Sequence, residues 1–275
     1  MGPQNQAFRP HEPRRRALAL SPGPGLMRRD WIAGLEKGLA ILEAFGDAHP
    51  RMTAAQCGER LGLTRTAARR HLLTLAHLGY VDTDGKLFWL TPRVLRLGQG
   101  YLESSRLARI AQPFLQRVTA GTMEISYVSV LDGDDIIYVA RNGPNRAMNT
   151  GFVLGARVPA HVTAAGMLLV ALRETPPLEA WLAQASLQTF TSHTITNAQR
   201  LRTELLHVRQ QDWALSEQQL ELNYRGIAVP LRDARGTPVG GLSVTLPMNQ
   251  ETASHALARV LPLLKETAQA LRPLI

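Results

Sequence analysis

One segment, TRTAARRHLLTLAHLGYVD at residues 64–82, constrains the fold more strongly than any other stretch of the sequence. At about 100° per residue, its apolar residues fall on one face of a helix: Ala68, Leu72 and Leu75. Arg69 and Arg70 lie roughly opposite that face, and Thr64 is placed to cap the helix. A solvated surface helix normally mixes both signs of charge, yet residues 64–81 contain no Asp or Glu. The pattern therefore favours a helix that binds nucleic acid over a plain surface helix.

The sequence around this segment predicts the other parts of a small DNA-binding fold. Apolar residues recur at helical spacing over residues 31–45, and Thr53 begins a capping box that opens a second short helix. Gly62 separates that helix from the basic one, although two helices joined at a glycine also occur in many bundles. Residues 80–90 contain two β-prone runs around an Asp-Gly pair, which is typical of a hairpin. Three helices followed by a hairpin predict a winged helix-turn-helix domain over residues 30–91.

The predicted DNA contacts follow from the geometry of such domains, in which the start of the recognition helix reaches base edges and phosphates. We assign the base edges to three residues of this helix: Arg65, Thr66 and Arg69. Two further cations are assigned to phosphates, Arg70 on the same helix and Lys86 in the wing. Thr53, at the start of the preceding helix, completes the predicted DNA-binding set.

Charge is distributed unevenly along the chain. The total is +9; residues 1–110 hold 17 Lys and Arg against 9 Asp and Glu, whereas residues 111–275 hold 14 against 13. Clustered cations gain affinity for a polyanion because they release counterions from its phosphates. The asymmetry therefore favours a nucleic-acid-binding module joined to a nearly neutral one. The alternative is a basic tail attached to a neutral enzyme.

Residues 1–29 lack apolar periodicity and include RRR and SPGPG, so we interpret them as a disordered basic arm. An unstructured leader is the simplest interpretation, and a contact of the arm with the minor groove or with phosphates stays open. The apolar run after RRR is too short for a signal peptide, and no run approaches the ~18 apolar residues of a membrane span. Cys57 is the single cysteine, which excludes an intrachain disulfide and fits the cytoplasm.

The remainder of the chain predicts a linker and a second domain. Residues 92–108 predict a linker helix with an apolar face that can bury against a second subunit. In residues 109–275, strand–turn–strand units occur over 124–140 and 227–246, and helical stretches separate them. Strands at both ends with helices between them predict an α+β domain, in which helices cover an antiparallel sheet.

The stretch GARVPAHVTAAG at residues 155–166 predicts an anion site. Thr163 can cap a helix there, and the small residues Ala164, Ala165 and Gly166 leave its first amides uncovered. Free N–H groups at the positive end of a helix dipole bind carboxylate or phosphate. The alternative is a helix start that packs under a sheet, with its amides satisfied by Thr163 alone.

The sequence contains no complete catalytic constellation. His161 has no Glu or second His at useful spacing, so a structural, hydrogen-bonded role outweighs that of a base or a metal ligand. Residues 241–245, GLSVT, lack the last glycine of a Gly-x-Ser-x-Gly elbow, and no Walker or dinucleotide glycine pattern occurs. We predict that the protein is not an enzyme and uses neither a metal nor a cofactor. The competing hypotheses are an enzyme for a small carboxylate with an N-terminal docking module, and a non-specific nucleic-acid binder.

Several motifs together resemble the IclR family of bacterial transcription regulators over residues 31–272. They are LEKGLAIL at 35–42, HLLTLAHLGY at 71–80, VLDGD at 130–134, the loop at 155–166 and GIAVPLRD at 226–233. Three shorter motifs are VAR at 139–141, WAL at 213–215 and IAVP at 227–230. These further resemble the branch of the family that controls catabolism of aromatic acids such as protocatechuate and 4-hydroxybenzoate.

The resemblance implies a winged-helix DNA-binding domain, a linker helix and a GAF-like effector domain. It implies homodimers or dimers of dimers on a palindromic operator, and it leaves a contact with RNA polymerase open. It also implies an effector pocket at matching positions: the main chain of Ala164 and Ala165 and the side chains of Ser216, Tyr224, Gly226, Ser243 and Thr245. The complete predicted effector-binding set adds these residues: Met148, Thr150, His161, Thr163 and Gly166.

Three positions depart from the family pattern, because Ser216 replaces Asp, Gln219 replaces Glu and Gly226 replaces Cys or Ser. A pocket without those groups is roomier and repels anions less. We therefore expect a transcriptional regulator of an aromatic-acid catabolic operon, controlled by a small aromatic or aliphatic carboxylate. The departures favour a bulky or aromatic acid over a two- or three-carbon acid.

Overall fold

The computed structural model describes residues 27–143, 152–173, 175–248 and 251–275. The chain divides into two compact units, and the boundary between them lies between Tyr101 and Leu102. That boundary falls inside residues 92–108, the segment predicted to be a linker helix.

The described part of the N-terminal unit forms a winged helix-turn-helix. Its elements are α1 (Ala33–Glu43), β1 (Met52–Thr53), α2 (Ala54–Leu61), α3 (Arg65–His77), β2 (Val81–Thr83) and β3 (Leu87–Leu90). Strand β3 lies between β1 and β2, and both pairs are antiparallel. The helices and the hairpin share one apolar core, which includes Ile41, Met52, Leu72, Val81 and Phe88. The predicted fold of this unit is confirmed.

Local hydrogen bonds and backbone conformation fix the two ends of α2 and the start of α3. The Thr53 hydroxyl accepts from the Gln56 amide at 3.3 Å, and the Gln56 side chain accepts from the Thr53 amide at 2.8 Å. Gly62 ends α2 with φ +66°, a left-handed conformation that favours glycine. Thr64 Oγ1 then accepts from the Ala67 amide at 3.2 Å. Because both sides of the turn are capped, the first residue of α3 is well defined.

The predicted linker helix is divided in two. Helix α4 (Leu95–Ser104) ends before Ser105, and α5 (Arg106–Thr122) begins after it. Ser105 has an extended conformation, and its hydroxyl accepts a hydrogen bond from the Ala108 amide at 3.4 Å. A serine that caps a new helix in this way interrupts the preceding one. Helix α5 packs on the sheet of the C-terminal unit.

The C-terminal unit is built on a six-stranded sheet with the order β6-β5-β4-β9-β8-β7, and every neighbouring pair is antiparallel. Its strands are β4 (Ile125–Asp132), β5 (Asp135–Asn142), β6 (Arg157–Pro159), β7 (Ala214–Glu217), β8 (Tyr224–Arg232) and β9 (Pro238–Pro247). Besides α5, its described helices are α6 (Ala164–Ala171), α7 (Thr175–Gln184), α8 (Ala198–Gln211) and α9 (Ala253–Leu271).

Helices cover both faces of this sheet. Helices α5 and α9 pack on one face, with a core that includes Ile227 and Val260. Helix α6 packs on the other face, with a core that includes Tyr127 and Leu168, and α8 packs on α6. All eight residues of α6 are buried, because this helix lies between the sheet and α8. The predicted α+β class, with an antiparallel sheet covered by helices, is confirmed.

Candidate functional site

Helix α3 has one buried and one exposed face. Ala68 and Leu72 are fully buried in the core of the N-terminal unit. The polar residues predicted to contact DNA are exposed: Arg65, Thr66, Arg69 and Arg70. Among the described residues, no carboxylate pairs with these three arginines. The helix therefore offers positive charge on an exposed face, which a helix needs in order to enter a DNA groove.

The hairpin of the N-terminal unit places Lys86 in an exposed turn. Asp84 shapes this turn, because its Oδ1 accepts from the amides of Leu87 at 2.7 Å and Lys86 at 2.9 Å. These two backbone hydrogen bonds hold the pKa of the Asp84 carboxyl below its ordinary value, and the bond from Leu87 has the larger effect. Gly85 has φ +94°, which a side chain would resist. The acid thus builds the turn, and Lys86 is the exposed cation at its tip.

Two further residues lie beside the wing. The hydroxyl of Thr53, a predicted DNA contact, is engaged in the capping box of α2. Sequence analysis did not single out Arg51, whose guanidinium lies 4.2 Å from the centre of the Trp89 ring. The two meet because β1 pairs with β3, with Met52 opposite Phe88. A guanidinium that stacks on an indole ring is ordered and can still donate hydrogen bonds to a phosphate.

A cavity in the C-terminal unit begins at the start of α6. Thr163 Oγ1 accepts from the Gly166 amide at 3.0 Å. The amides of Ala164 and Ala165 precede the first full turn and have no carbonyl partner within the helix. Both residues line the cavity, which is partly open to solvent and has a volume of about 510 Å³ when that open space is counted. The helix start therefore offers two amides, and the positive end of its dipole, to a ligand.

Strands β8 and β9 border the space in front of these amides. A Cβ on Gly226 would lie 3.3 Å from the Ala164 Cβ and 3.8 Å from the Ala164 nitrogen. Gly226 pairs with Thr245, and strand alternation puts Ser243 on the same face of the sheet as Thr245. All three residues line the cavity. The missing side chain at Gly226 keeps the amides accessible, and two hydroxyls stand beside them.

Aromatic rings form a wall of the same cavity. The rings of Tyr138 and Phe152 stack, with centroids 4.9 Å apart and planes inclined by 14°. Both residues line the cavity together with Tyr224, which is 40% exposed. The Tyr127 hydroxyl accepts a hydrogen bond from the Phe152 amide at 3.2 Å and so holds Phe152 in place. Burial raises the pKa of the Tyr138 hydroxyl, which therefore stays neutral. A flat, largely apolar wall suits an aromatic ring.

Two polar side chains at the cavity are already engaged by the backbone. Ser216 Oγ donates to the Val162 carbonyl oxygen at 3.2 Å. Gln219 Oε1 accepts from the Ile195 amide at 2.8 Å, and its Nε2 donates to the His193 carbonyl oxygen at 2.8 Å. Gln219 therefore ties the loop after β7 to the segment before α8. Its amide stabilises the cavity wall and adds no charge to it.

Arg225 is the single cation among the described residues that line the cavity. In the strand register it stands beside Glu217 and Leu246, on the face that α9 covers and opposite the face of Gly226. Its guanidinium is 3% exposed, and Nη2 contacts Glu217 Oε1 at 3.0 Å. In the part of the chain that the structure describes, its Nε and Nη1 have no hydrogen-bond partner. The α6 side of the sheet therefore presents amides and hydroxyls to an anion, and not this guanidinium.

The structure brings together eight of the predicted effector-binding residues at this cavity: Thr163, Ala164, Ala165, Ser216, Tyr224, Gly226, Ser243 and Thr245. Two others lie elsewhere. His161 is buried, and its Nε2 contacts a backbone carbonyl oxygen at 3.1 Å. Gly166 serves close packing, because a Cβ there would clash with the backbone of Ala160. Met148 and Thr150 lie outside the described residues.

Sequence analysis missed several residues that line the cavity, and Tyr138, Phe152 and Glu221 are the ones that bear on ligand binding. A signal existed for Tyr138, because it alternates with Ile136 in β5 and both are buried on the α6 side of the sheet. Phe152 and Glu221 lie outside regular elements, where no periodicity assigns a direction to a side chain.

Groups suited to metal or thiol chemistry are not assembled in the part of the chain that the structure describes. There, no three His, Cys, Asp or Glu side chains are placed to hold a metal ion. Within the same residues, no helix is both long and apolar enough to cross a membrane. Cys57 is buried, and burial raises the pKa of its thiol to about 11, which keeps it protonated at neutral pH.

Comparison with known proteins decides which family this architecture represents. Residues 34–85 match the IclR helix-turn-helix domain, and residues 99–272 match the C-terminal domain of the bacterial transcriptional regulator IclR. The chain belongs to the IclR family. It is therefore a DNA-binding transcriptional regulator, and the family inferred from the motifs is confirmed.

Two relatives of this IclR chain come from Acinetobacter baylyi. The Pca operon regulatory protein is 37% identical over 254 residues, which cover 91% of each chain. The p-hydroxybenzoate hydroxylase transcriptional activator is 41% identical over 251 residues, which cover 90% of this chain and 93% of that one. Both fit the aromatic-acid branch that the motifs indicate.

One similar solved structure is the inducer-binding domain of the PobR transcription factor from Acinetobacter, a double mutant in complex with 3-hydroxybenzoic acid. It is 32% identical, has a TM-score of 0.59, and covers 62% of this chain and 100% of that one.

Proposed function

We propose that this IclR regulator controls an aromatic-acid catabolic operon, and that its effector is a small aromatic carboxylate of the hydroxybenzoate class. The observation that carries the proposal is that one cavity combines the α6 amides with the stacked rings of Tyr138 and Phe152. The amides bind the carboxylate and the rings bind the aromatic ring. The names of the two Acinetobacter baylyi relatives, and the acid bound to the PobR domain, support this class of effector.

The space at Gly226 supports an aromatic effector over a two- or three-carbon acid. A Cβ there would lie 3.3 Å from the Ala164 Cβ, so any larger residue would narrow the approach to the amides. Ser216 and Gln219 add no charge to the cavity lining, which therefore repels a carboxylate less than a lining with acids at those two positions would.

On the DNA side, α3 enters the major groove of the operator. The base edges are contacted by Arg65, Thr66 and Arg69. Arg70 and Lys86 contact phosphates, and Thr53 lies near the sugar-phosphate backbone of the DNA. One such helix covers a short half-site, so a homodimer, or a dimer of dimers, binds a palindromic operator. The protein acts in the cytoplasm without catalytic activity, and an operator beside a promoter brings it next to RNA polymerase.

Control by the effector requires only that the effector bind two arrangements of the regulator with different affinities. If one arrangement holds the two recognition helices at the operator spacing, the effector shifts the DNA affinity by the ratio of those affinities. The same coupling makes operator DNA change the affinity for the effector by an equal factor.

Two measurements on the full-length protein test this function. In a thermal-shift screen, benzoate, 3-hydroxybenzoate and 4-hydroxybenzoate should include acids that raise the Tm, whereas glyoxylate and pyruvate should not. In mobility shifts over a salt series, a palindromic upstream fragment should bind in preference to scrambled DNA at moderate salt. A strong response to glyoxylate or pyruvate, with none to aromatic acids, would refute the effector class. Equal binding of scrambled DNA would indicate a non-specific binder.

A further inference from the structure

The cavity proposed to bind an anion contains a carboxylate of its own. Glu221 is the single acidic residue among the described residues that line it. It lies in the loop between β7 and β8, where it is partly buried, and burial raises the pKa of its carboxyl. Within the described residues Glu221 forms no ion pair. A partly buried carboxylate without a cation is costly unless it accepts hydrogen bonds.

The groups proposed to bind an anion lie where the start of α6 meets strands β8 and β9. Gly226 pairs with Thr245 and approaches Ala164, so the α6 amides and the hydroxyls of β9 border the same space. Glu221 belongs to the loop instead. A ligand carboxylate close to Glu221 would be repelled, because two like charges in a partly desolvated cavity interact unfavourably. The ligand carboxylate therefore binds at the helix start, and the opposite end of the ligand meets the loop.

Other polar groups of the loop region are already used. Gln219 bonds to the backbone of Ile195 and His193. Gln218 Oε1 accepts from the Asn223 amide at 3.1 Å. The Glu221 carboxylate is thus an available acceptor at this end of the cavity. The ligand group that fits it is a hydrogen-bond donor, such as a hydroxyl on the aromatic ring.

We propose that Glu221 accepts a hydrogen bond from the ring hydroxyl of the effector, and that it thereby selects hydroxylated aromatic carboxylates over unsubstituted or methoxy-substituted ones. This specificity role rests on the proposed function, because it assumes that an aromatic carboxylate occupies the cavity. An acid without a hydroxyl leaves the Glu221 carboxylate desolvated and without a donor. A hydroxybenzoate satisfies it by a charge-assisted hydrogen bond.

Calorimetric titration of the full-length protein with benzoate, 3-hydroxybenzoate, 4-hydroxybenzoate and 4-methoxybenzoate tests the inference. The wild type should bind at least one hydroxybenzoate about 10- to 100-fold more tightly than benzoate or 4-methoxybenzoate. Glu221→Ala should reduce that preference to less than about threefold, chiefly by weakening the binding of the hydroxybenzoate. Glu221→Gln, whose amide oxygen still accepts an uncharged hydrogen bond, should reduce the preference in part. Glu266→Gln, which removes an exposed carboxylate on α9, is the matched control and should keep the wild-type preference.

The outcomes separate this inference from the function on which it rests. If the wild type binds hydroxybenzoate and the two Glu221 variants keep its preference, the specificity role is wrong and the effector class stands. If the variants bind benzoate and hydroxybenzoate more weakly than the wild type by the same factor, Glu221 acts only through the shape of the loop, and the inference is also wrong. If the wild type binds none of the four acids, the proposed effector class itself falls. Circular dichroism of each variant establishes that it is folded.

Discussion

The two units of this regulator meet negatively charged ligands in opposite ways. In the N-terminal unit, the arginines of α3 are exposed, and no described carboxylate pairs with them. In the C-terminal unit, three of the arginines are engaged by the protein itself: Arg209 by the Ala171 carbonyl oxygen, Arg225 by Glu217 and Arg259 by Glu251. The anion site that we propose for that unit is built from helix amides instead. Exposed cations suit a long polyanion, and fixed amides suit one small carboxylate.

This difference agrees with the distribution of charge along the sequence. The excess of Lys and Arg over Asp and Glu is +8 in residues 1–110 and +1 in residues 111–275. A cationic surface gains its affinity from released counterions, so its binding depends strongly on salt. Amides at a buried helix start are fixed dipoles in a partly desolvated site, and salt screens them less. The two proposed binding steps therefore have separable physical origins.

Salt concentration should give the largest separation of the two units. Raising monovalent salt from 50 to 200 mM should weaken operator binding by about 1,000-fold, because several phosphate contacts release counterions. Effector affinity should change by less than about threefold over the same range. Fluorescence anisotropy with labelled operator and calorimetry with a hydroxybenzoate measure the two affinities. Equal salt dependence of both would show that the effector is also held by exposed cations, contrary to the comparison.

Arg69→Ala should weaken operator binding by about 10- to 100-fold, because one base-edge contact typically contributes about 1–3 kcal/mol of discrimination. Effector binding should stay unchanged, since the cavity belongs to the other unit. Arg235→Ala is the matched control: it removes an exposed arginine from the turn between β8 and β9 and should leave operator affinity as it is. Wild-type operator affinity in the Arg69 variant would remove Arg69 from the contact set.

The N-terminal unit is the part whose fold local sequence predicts best. Thr53, Gly62 and Thr64 act within a few residues of themselves, as caps and a turn, and the structure shows those same bonds. What local sequence does not specify is pairing between separate strands, and Arg51 on the Trp89 ring is the example. The break at Ser105 was missed because a serine is compatible with a helix interior and favours a cap only in context.

The cavity divides in the same way. The amides of Ala164 and Ala165 are predictable, because Thr163 and the small residues after it form one continuous stretch. The aromatic wall is not, because it needs the register of β5 and the position of Phe152. The role of Gln219 also depends on distant partners, since its amide bonds to the segment before α8. The sequence presents Gln219 as a changed ligand contact. In the structure, its side chain connects the loop after β7 to the segment before α8.

Gly226→Ala should weaken binding of aromatic acids by about tenfold, because an added methyl group overpacks the space in front of the Ala164 amide. Ala164→Leu should abolish the effector response for the same reason. Both variants should keep basal operator affinity, which is measured by mobility shift without effector. Gly46→Ala is the matched control, since a Cβ there has open space around it. Unaltered effector affinity in the Gly226 variant would place the binding site away from the start of α6.

The smallest expected effect concerns Asp84, an acid within the cationic unit. Its pKa is lowered because the amides of Leu87 and Lys86 donate to the ionised carboxylate. A lowered pKa stabilises the folded hairpin above the unfolded-state value of about 3.9, and this contribution disappears as pH falls through the folded value. The Tm of the wild type should therefore exceed that of Asp84→Asn by about one to two degrees at pH 6.

That gap should narrow as pH falls through the lowered folded-state pKa, because the protonated carboxyl of the wild type resembles the neutral amide of the variant. Thermal unfolding of the full-length protein at pH 6, 4.5 and 3 measures it. Asp82→Asn, in the same hairpin but without the two turn bonds, is the control for loss of charge alone. A gap that does not change with pH would mean that Asp84 stabilises the wing by something other than its charge. The charge of Asp84 would then not explain why an acid stands in the hairpin of the cationic unit.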